Sequence, residues 1–290
     1  MEFLRTRIEA SVLDISRPTA GPDLLQPPGD PGLFGPDSAC WQVHGDFTSM
    51  LIGGVSALLL QMLHPLALSG VWDHSTFQQD MLGRLRRTAQ FIAGTTYGNL
   101  QHAEQLIARV RRIHEGVHGI APDGREYAAS DPDLLTWVHV AEVSSFLNAY
   151  LRHKNPALSL QRQDQYLDEI AVIAEKLGAV DVPRSRIALD AYLLRMQPQL
   201  ICDHRTQATL EMVLHAPAPN PVALPWVRLM MHAGIELLPD WAKHKLDVTV
   251  SGVVQRTLLR YAVATAAVPV RWAVRNGSVH LARRRMATPA

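Results

Sequence analysis

The chain has 290 residues, 47% hydrophobic and 19% charged, which excludes a disordered polymer and leaves enough apolar material for one sizeable core. Its 28 basic and 27 acidic side chains cancel to a formal net charge of +1, so no broad positive field is available to hold a nucleic-acid backbone. Two cysteines, Cys40 and Cys202, share no Cys-x-x-Cys spacing and exclude a disulfide framework; with a charged chain start that lacks a signal peptide's apolar run, a cytoplasmic setting is expected.

In chain order, Arg17 to Asp37 carries Pro18, Pro22, Pro27, Pro28, Pro31 and Pro36, which forbid regular helix. Residues 1–40 therefore read as an N-terminal arm, anchored on the body by Leu24, Leu25, Leu33 and Phe34. Trp41 to Leu63 reads as a helix in which Gly53-Gly54 lets another backbone come close, and Pro65 kinks or restarts the chain. Ser75 has the chemistry of an N-cap, with Gln78 in capping-box position. The helix after it carries Phe77, Met81, Leu82, Leu85, Ala89 and Ile92 at helical spacing, with Arg84 and Thr88 together on one shoulder of that stripe.

Asn99 caps the next helix, whose inner face holds Ala103, Leu106, Ile107, Val110, Ile113 and Val117. His114 falls about 40° from Val110 on that face, and His118 nearer its edge at about 80°. Residues 121–127 form a turn, after which Asp131 caps a helix that starts at Pro132. Its inner stripe is Leu135, His139, Val143, Phe146 and Tyr150, so His139 is a second buried histidine. Amphipathic helices follow over Ser159 to Leu177, Ser185 to Met196, Thr206 to Leu214, Trp226 to Leu238 and Val248 to Ala267. Period-two alternation is nearly missing, so the fold class is all-α, a single-domain helical bundle over 41–275 with a basic tail at 276–290 read as a solvated terminus. Met50 to Leu63 and Tyr261 to Val274 approach membrane hydropathy but fall short of a span; both read as buried core helices, leaving room for peripheral membrane attachment.

There is no His-Glu-x-x-His, no phosphate-binding glycine loop and no Gly-x-Ser-x-Gly. What remains is single histidines on apolar helix faces, each of which packs in the core or serves as one axial ligand. One such nitrogen, an apolar pocket and a few cations are the minimum a b-type haem requires.

Several ordered motifs point further. They are Leu60-Gln61-x-x-x-His64-Pro65, Gly70-Val71-x-x-His74-Ser75, Gly83-Arg84-Leu85-x-Arg87-Thr88, Ile113-His114-x-x-Val117-x-Gly119, Gly124-x-x-Tyr127-x-Ala129-x-Asp131-Pro132 and Trp137-Val138-His139. This set, spanning Trp41 to Tyr150, resembles the catalytic domain of the rubber oxygenase (latex clearing protein) family, which includes the mycophenolic-acid-pathway oxygenases. The resemblance implies a globin-like haem-binding core, haem b held by one histidine, and dioxygen-dependent cleavage of carbon–carbon double bonds in apolar substrates. It maps the family's Arg-x-x-x-Thr element onto Arg84 and Thr88, and makes His114 the best axial ligand, with His118 and His139 as rivals. Arg87 stands where the latex enzymes carry a lysine and joins the haem-binding candidates. The family's distal glutamate has no counterpart from Leu63 to Gly83, which leaves the catalytic base unassigned. The expected substrate is an isoprenoid, lipid or polyketide-like molecule; a non-catalytic haem- or lipid-binding helical protein is the alternative.

Overall fold

The computed structural model describes residues 1–16, 23–75, 78–218, 221 and 223–287. Among them the helices run α1 (Glu2–Ser16), α2 (Ala39–His44), α3 (Phe47–Gln61), α4 (Pro65–His74), α5 (Met81–Tyr97), α6 (Leu100–Glu115), α7 (Pro132–His153), α8 (Leu160–Leu177), α9 (Arg186–Met196), α10 (His204–Leu214), α11 (Leu224–Leu237), α12 (Asp240–Lys245), α13 (Val253–Ala273) and α14 (Ser278–Ala287). A short antiparallel hairpin, β1 (His118–Ile120) with β2 (Glu126–Ala128), stands between α6 and α7. The chain is thus mostly helical as its periodicity requires, and the hairpin is the departure. Three residues per strand give too little alternation to detect, while Gly124 at φ +84° closes the expected turn.

At the centre is α3, rich in Leu, Ile, Val, Ala, Gly and small polar residues and buried along most of its length. It begins at Asp46, whose carboxylate accepts from the Ser49 backbone N–H, because Gly45 and Asp46 break the run from Trp41 into α2 and α3. Its main partner is α7. A Cβ on Gly53 would lie 2.8 Å from Phe146 Cδ1 and 3.0 Å from the Ser145 carbonyl oxygen, so the expected close approach at this glycine is made by α7. On another side α11 comes as near, since a Cβ on Gly234 would meet Val55 at 2.5 Å. Pro65 restarts the chain as α4 at 105° to α3.

Several expectations are corrected. Ser75 ends α4 and hydrogen-bonds the Val71 carbonyl; α5 is capped by Asp80, which accepts from the Gly83 N–H. Phe77, and the side chains of Met81 and Leu82, lie outside the described residues. Ile113, on the last turn of α6, is exposed and not part of its inner face. His118 sits on a strand, past the end of α6 at Glu115. The last long helix begins at Val253 and runs through Pro269, whose missing N–H faces the carbonyl of Thr265 on the solvent side, where water can serve it. That helix is buried on one face only, so it is not the core helix its composition suggests.

Residues 2–16 are helical, and Leu24, Leu33 and Phe34 anchor the following segment while Leu25 stays exposed. The arginine run is not simply solvated: Arg285 is fully buried and donates to the carbonyls of Leu24, Asp30, Tyr97 and Gly98. This one side chain fastens the proline-rich segment and the end of α5 to α14.

Candidate active site

Between α3, α5 and α7, and bounded by α2, α13 and α14, lies a cavity of about 500 Å³. That volume suits a small-molecule site. Its walls are largely apolar, with Leu58 from α3, Leu85 and Ile92 from α5, Phe146 from α7, Val270 from α13 and Val274 just past its end. Polar side chains stand among these apolar ones, including Arg84, Thr88, Glu142, Lys154, Arg271 and His280.

Arg84 and Thr88 both line the cavity, one turn apart on α5. Arg84 is half-buried, and burial together with the neighbouring Arg87 charge pulls its guanidinium down to about 10. Across from them, α7 contributes Glu142. It has no hydrogen-bonding or ionic partner among the described residues, and burial pushes its carboxyl up to about 7. The glutamate is legible in hindsight: it falls between His139 and Phe146 on the inner stripe, where an acid has no reason to be unless something needs it.

His44 also lines the cavity, at the end of α2. Its Nδ1 hydrogen-bonds Thr96 Oγ1 at 3.0 Å and its Nε2 hydrogen-bonds the Tyr166 hydroxyl at 2.9 Å, so neither nitrogen is open to a metal. Burial holds this ring down to about 3, as a neutral imidazole. At the other end of the cavity Asp46 and Arg271 form an ion pair that joins the start of α3 to α13.

The histidine candidates are placed differently. None of His114, His118 and His139 belongs to the residues that line the cavity. His114 is nonetheless near Arg84: α5 and α6 run antiparallel, with Gly94 against Leu106 and Gly98 against His102, a register that brings the last turn of α6 to the first turns of α5, and the Arg84 charge acts on the His114 ring. Burial, then the Arg84 charge, lower its pKa. Its Nδ1 is sealed in without a partner, which leaves a ring whose hydrogen-bonding capacity is unspent. His139 is buried, with Nε2 unpartnered, and is held down to about 4 by burial. His118 is exposed on β1, and Arg87 is exposed and 3.7 Å from Asp80, so the structure brings neither to the cavity. Among the described residues no group of three or more His, Cys, Asp or Glu side chains converges on one point; a haem needs only one such ligand.

Of the remaining motif residues, His74, Gly119 and Tyr127 lock the hairpin to α4. His74 Nε2 lies 3.1 Å from both the Tyr127 hydroxyl and the His118 carbonyl, and the Tyr127 hydroxyl donates to Asp73 at 2.7 Å. Gly119 is needed there, because a Cβ would come within 2.6 Å of the Tyr127 oxygen.

A family model described as the catalytic domain of ER-bound oxygenase mpaB/B′ and rubber oxygenase matches residues 41–269, well beyond the motif-bearing stretch. No curated protein and no solved structure matches the chain.

Proposed function

The chain belongs to the mpaB/rubber oxygenase catalytic-domain family, an oxygenase family, and on that premise we propose that it is a haem b-dependent oxygenase of a hydrophobic substrate, with oxidative cleavage of a carbon–carbon double bond as its reaction. The observation that carries this reading is the apolar cavity with Arg84 and Thr88 on one wall and the unpartnered carboxyl of Glu142 on another. An isoprenoid, lipid or polyketide-like chain matches walls of Leu58, Leu85, Ile92 and Phe146, and the cleavage balances as alkene plus dioxygen giving two carbonyl products.

Although it does not line the cavity, His114, with a buried and unpartnered Nδ1 and the Arg84 charge near it, would hold the haem in this reading, and the helices α5 and α6 around it would take the globin-like role. A bound haem would supply the iron-centred activation of dioxygen. The protein's own groups do the rest. The apolar wall excludes water, which strengthens the field of the Arg84 cation on negative charge developing next to it. Thr88, one turn on, offers a hydroxyl donor. Glu142 holds a proton near neutral pH and gives up or takes one as the reaction requires, supplying the acid–base group that the stretch before Gly83 lacks. That carboxyl is what separates this reading from a protein of the same fold that binds haem or lipid without turnover.

The test is dioxygen consumption by haem-loaded protein offered a panel of unsaturated apolar substrates, with labelled oxygen followed into the products. Two labelled carbonyl fragments per alkene support cleavage. Consumption without labelled product, or no consumption across the panel, removes the oxygenase assignment for this cavity.

A further inference from the structure

α13 has a buried apolar face and, opposite it, an uncharged and mostly apolar face in which Thr265 stands between Tyr261 and Val268. Val263, Ala267, Val270 and Ala273 are buried against the body. On the other side Val254, Leu258, Tyr261, Val268 and Trp272 succeed one another at steps of four, three, seven and four residues, which strings them along one outward stripe. Val254 is 72%, Leu258 64%, Tyr261 62% and Val268 62% exposed, and no charged residue interrupts them on that face. Arg5 donates to the Ala273 carbonyl at 3.2 Å and so lays the start of α1 beside the end of the stripe, where Phe3 and Leu4 are also exposed. A patch of this length is an interaction surface rather than scattered surface residues.

Charge says what covers it. After Asp247 the sequence contains seven arginines and no acidic residue. Arg256, Arg271 and Arg285 turn inward onto protein partners, whereas Arg260 and Arg275 are exposed beside the stripe, with Arg7 next to Phe3 on α1. The one acid at the start of α1, Glu2, is taken up by Arg5. A second copy facing this surface would set arginine against arginine with no acid on α13 to pair them. An anionic lipid surface pairs with them directly, takes Tyr261 and Trp272 at headgroup level, and accepts the aliphatic residues below.

We infer that the outer face of α13, with the start of α1, docks on an anionic lipid bilayer. The helix lies on the membrane, since no single helix among the described residues is long and apolar enough to cross one. Its other face helps wall the cavity through Val270 and Arg271, which puts lipid one helix away from the proposed substrate site. This extends the reading of an apolar substrate but needs no haem, so the two stand or fall separately.

The experiment is flotation of the full chain with vesicles of phosphatidylcholine alone and of phosphatidylcholine with phosphatidylserine, with solution mass measured in parallel. Flotation with the anionic vesicles, weakened by added salt, is expected. Leu258→Glu and Val268→Glu should each reduce it roughly tenfold, the loss of one buried aliphatic side chain. Their unfolding midpoints should stay at the wild-type value, and Ile187→Glu, at an exposed position on α9, should float like wild type. Failure to float with anionic vesicles, equal flotation on both lipids, or flotation that survives both substitutions overturns the inference. A dimer that Leu258→Glu dissociates, without lipid binding, assigns the face to a second copy instead.

Discussion

Arg271 holds Asp46 through two hydrogen bonds, Nε to Oδ1 at 2.7 Å and Nη2 to Oδ2 at 3.0 Å, while the same carboxylate accepts from the backbone and side chain of Ser49. One acid therefore both caps α3 and fixes α13 to it, and both residues line the cavity. Burial pushes the Asp46 carboxyl up, but the bonds from Arg271 and Ser49 outweigh it and hold its pKa below the usual value. A depressed carboxylate contributes stability that is complete above its unfolded pKa and is lost as pH falls through the folded one. Arg271→Ala should cost roughly 3 kcal/mol at neutral pH, the expected loss when one partner of a mostly buried pair is removed. That difference should shrink in acid, below about pH 4. Urea denaturation of both proteins at the two pH values checks it; an equal difference at both would break the link to Asp46.

Glu142 titrates in the opposite sense. Its pKa is raised to about 7, so the folded state holds a proton that the unfolded chain has released; the advantage is present below the unfolded pKa and fades as pH climbs through 7. Glu142→Gln should therefore stabilise the haem-free protein at pH 8, by roughly 2 kcal/mol, and change it little at pH 4. In the loaded enzyme the same change should depress kcat and flatten the pH profile near neutrality. Unaltered activity with an unaltered profile would take Glu142 out of the chemistry.

Arg285→Ala removes a buried cation and strands the carbonyls of Leu24, Asp30, Tyr97 and Gly98. A loss of roughly 3 kcal/mol is expected. Cleavage by protease within residues 23–37 should appear before the helical body is attacked, and wild-type resistance there would contradict the fastening role.

Gly53→Ala places a methyl 2.8 Å from Phe146 Cδ1 and 3.0 Å from the Phe146 Cα. The backbone contact cannot rotate away, so α3 and α7 must part. Destabilisation of about 1–3 kcal/mol is expected, read as a drop in Tm, with wild-type Tm as the contrary result.

The helices were legible because their signals are local. Asn99 and Asp131 cap the elements they announce, and the amphipathic run from Ser159 to Leu177 is α8, capped by Ser159 and closed by Gly178 in the left-handed conformation. Arg84 and Thr88 were legible as a pair for the same reason, being one turn apart. Partners far apart in sequence were not. Asp46 meets Arg271 across 225 residues, and Arg285 meets Leu24 across 261, and no periodicity encodes either. His114 and His139 look alike on a helical wheel; only the packing of α5 on α6 sets one of them near Arg84. The hydropathy of α13 suggested burial, because a stripe that faces solvent and one that faces a core have the same composition.

The most direct measurement is the visible absorption spectrum of protein expressed with a haem precursor, taken before and after dithionite, for wild type, His114→Ala and His139→Ala. Wild type and His139→Ala should show a Soret band that shifts on reduction. In His114→Ala the band should be lost with helicity retained. A wild-type protein that stays colourless through haem titration, or a band that survives in His114→Ala and disappears in His139→Ala, would contradict a haem held by His114 near Arg84.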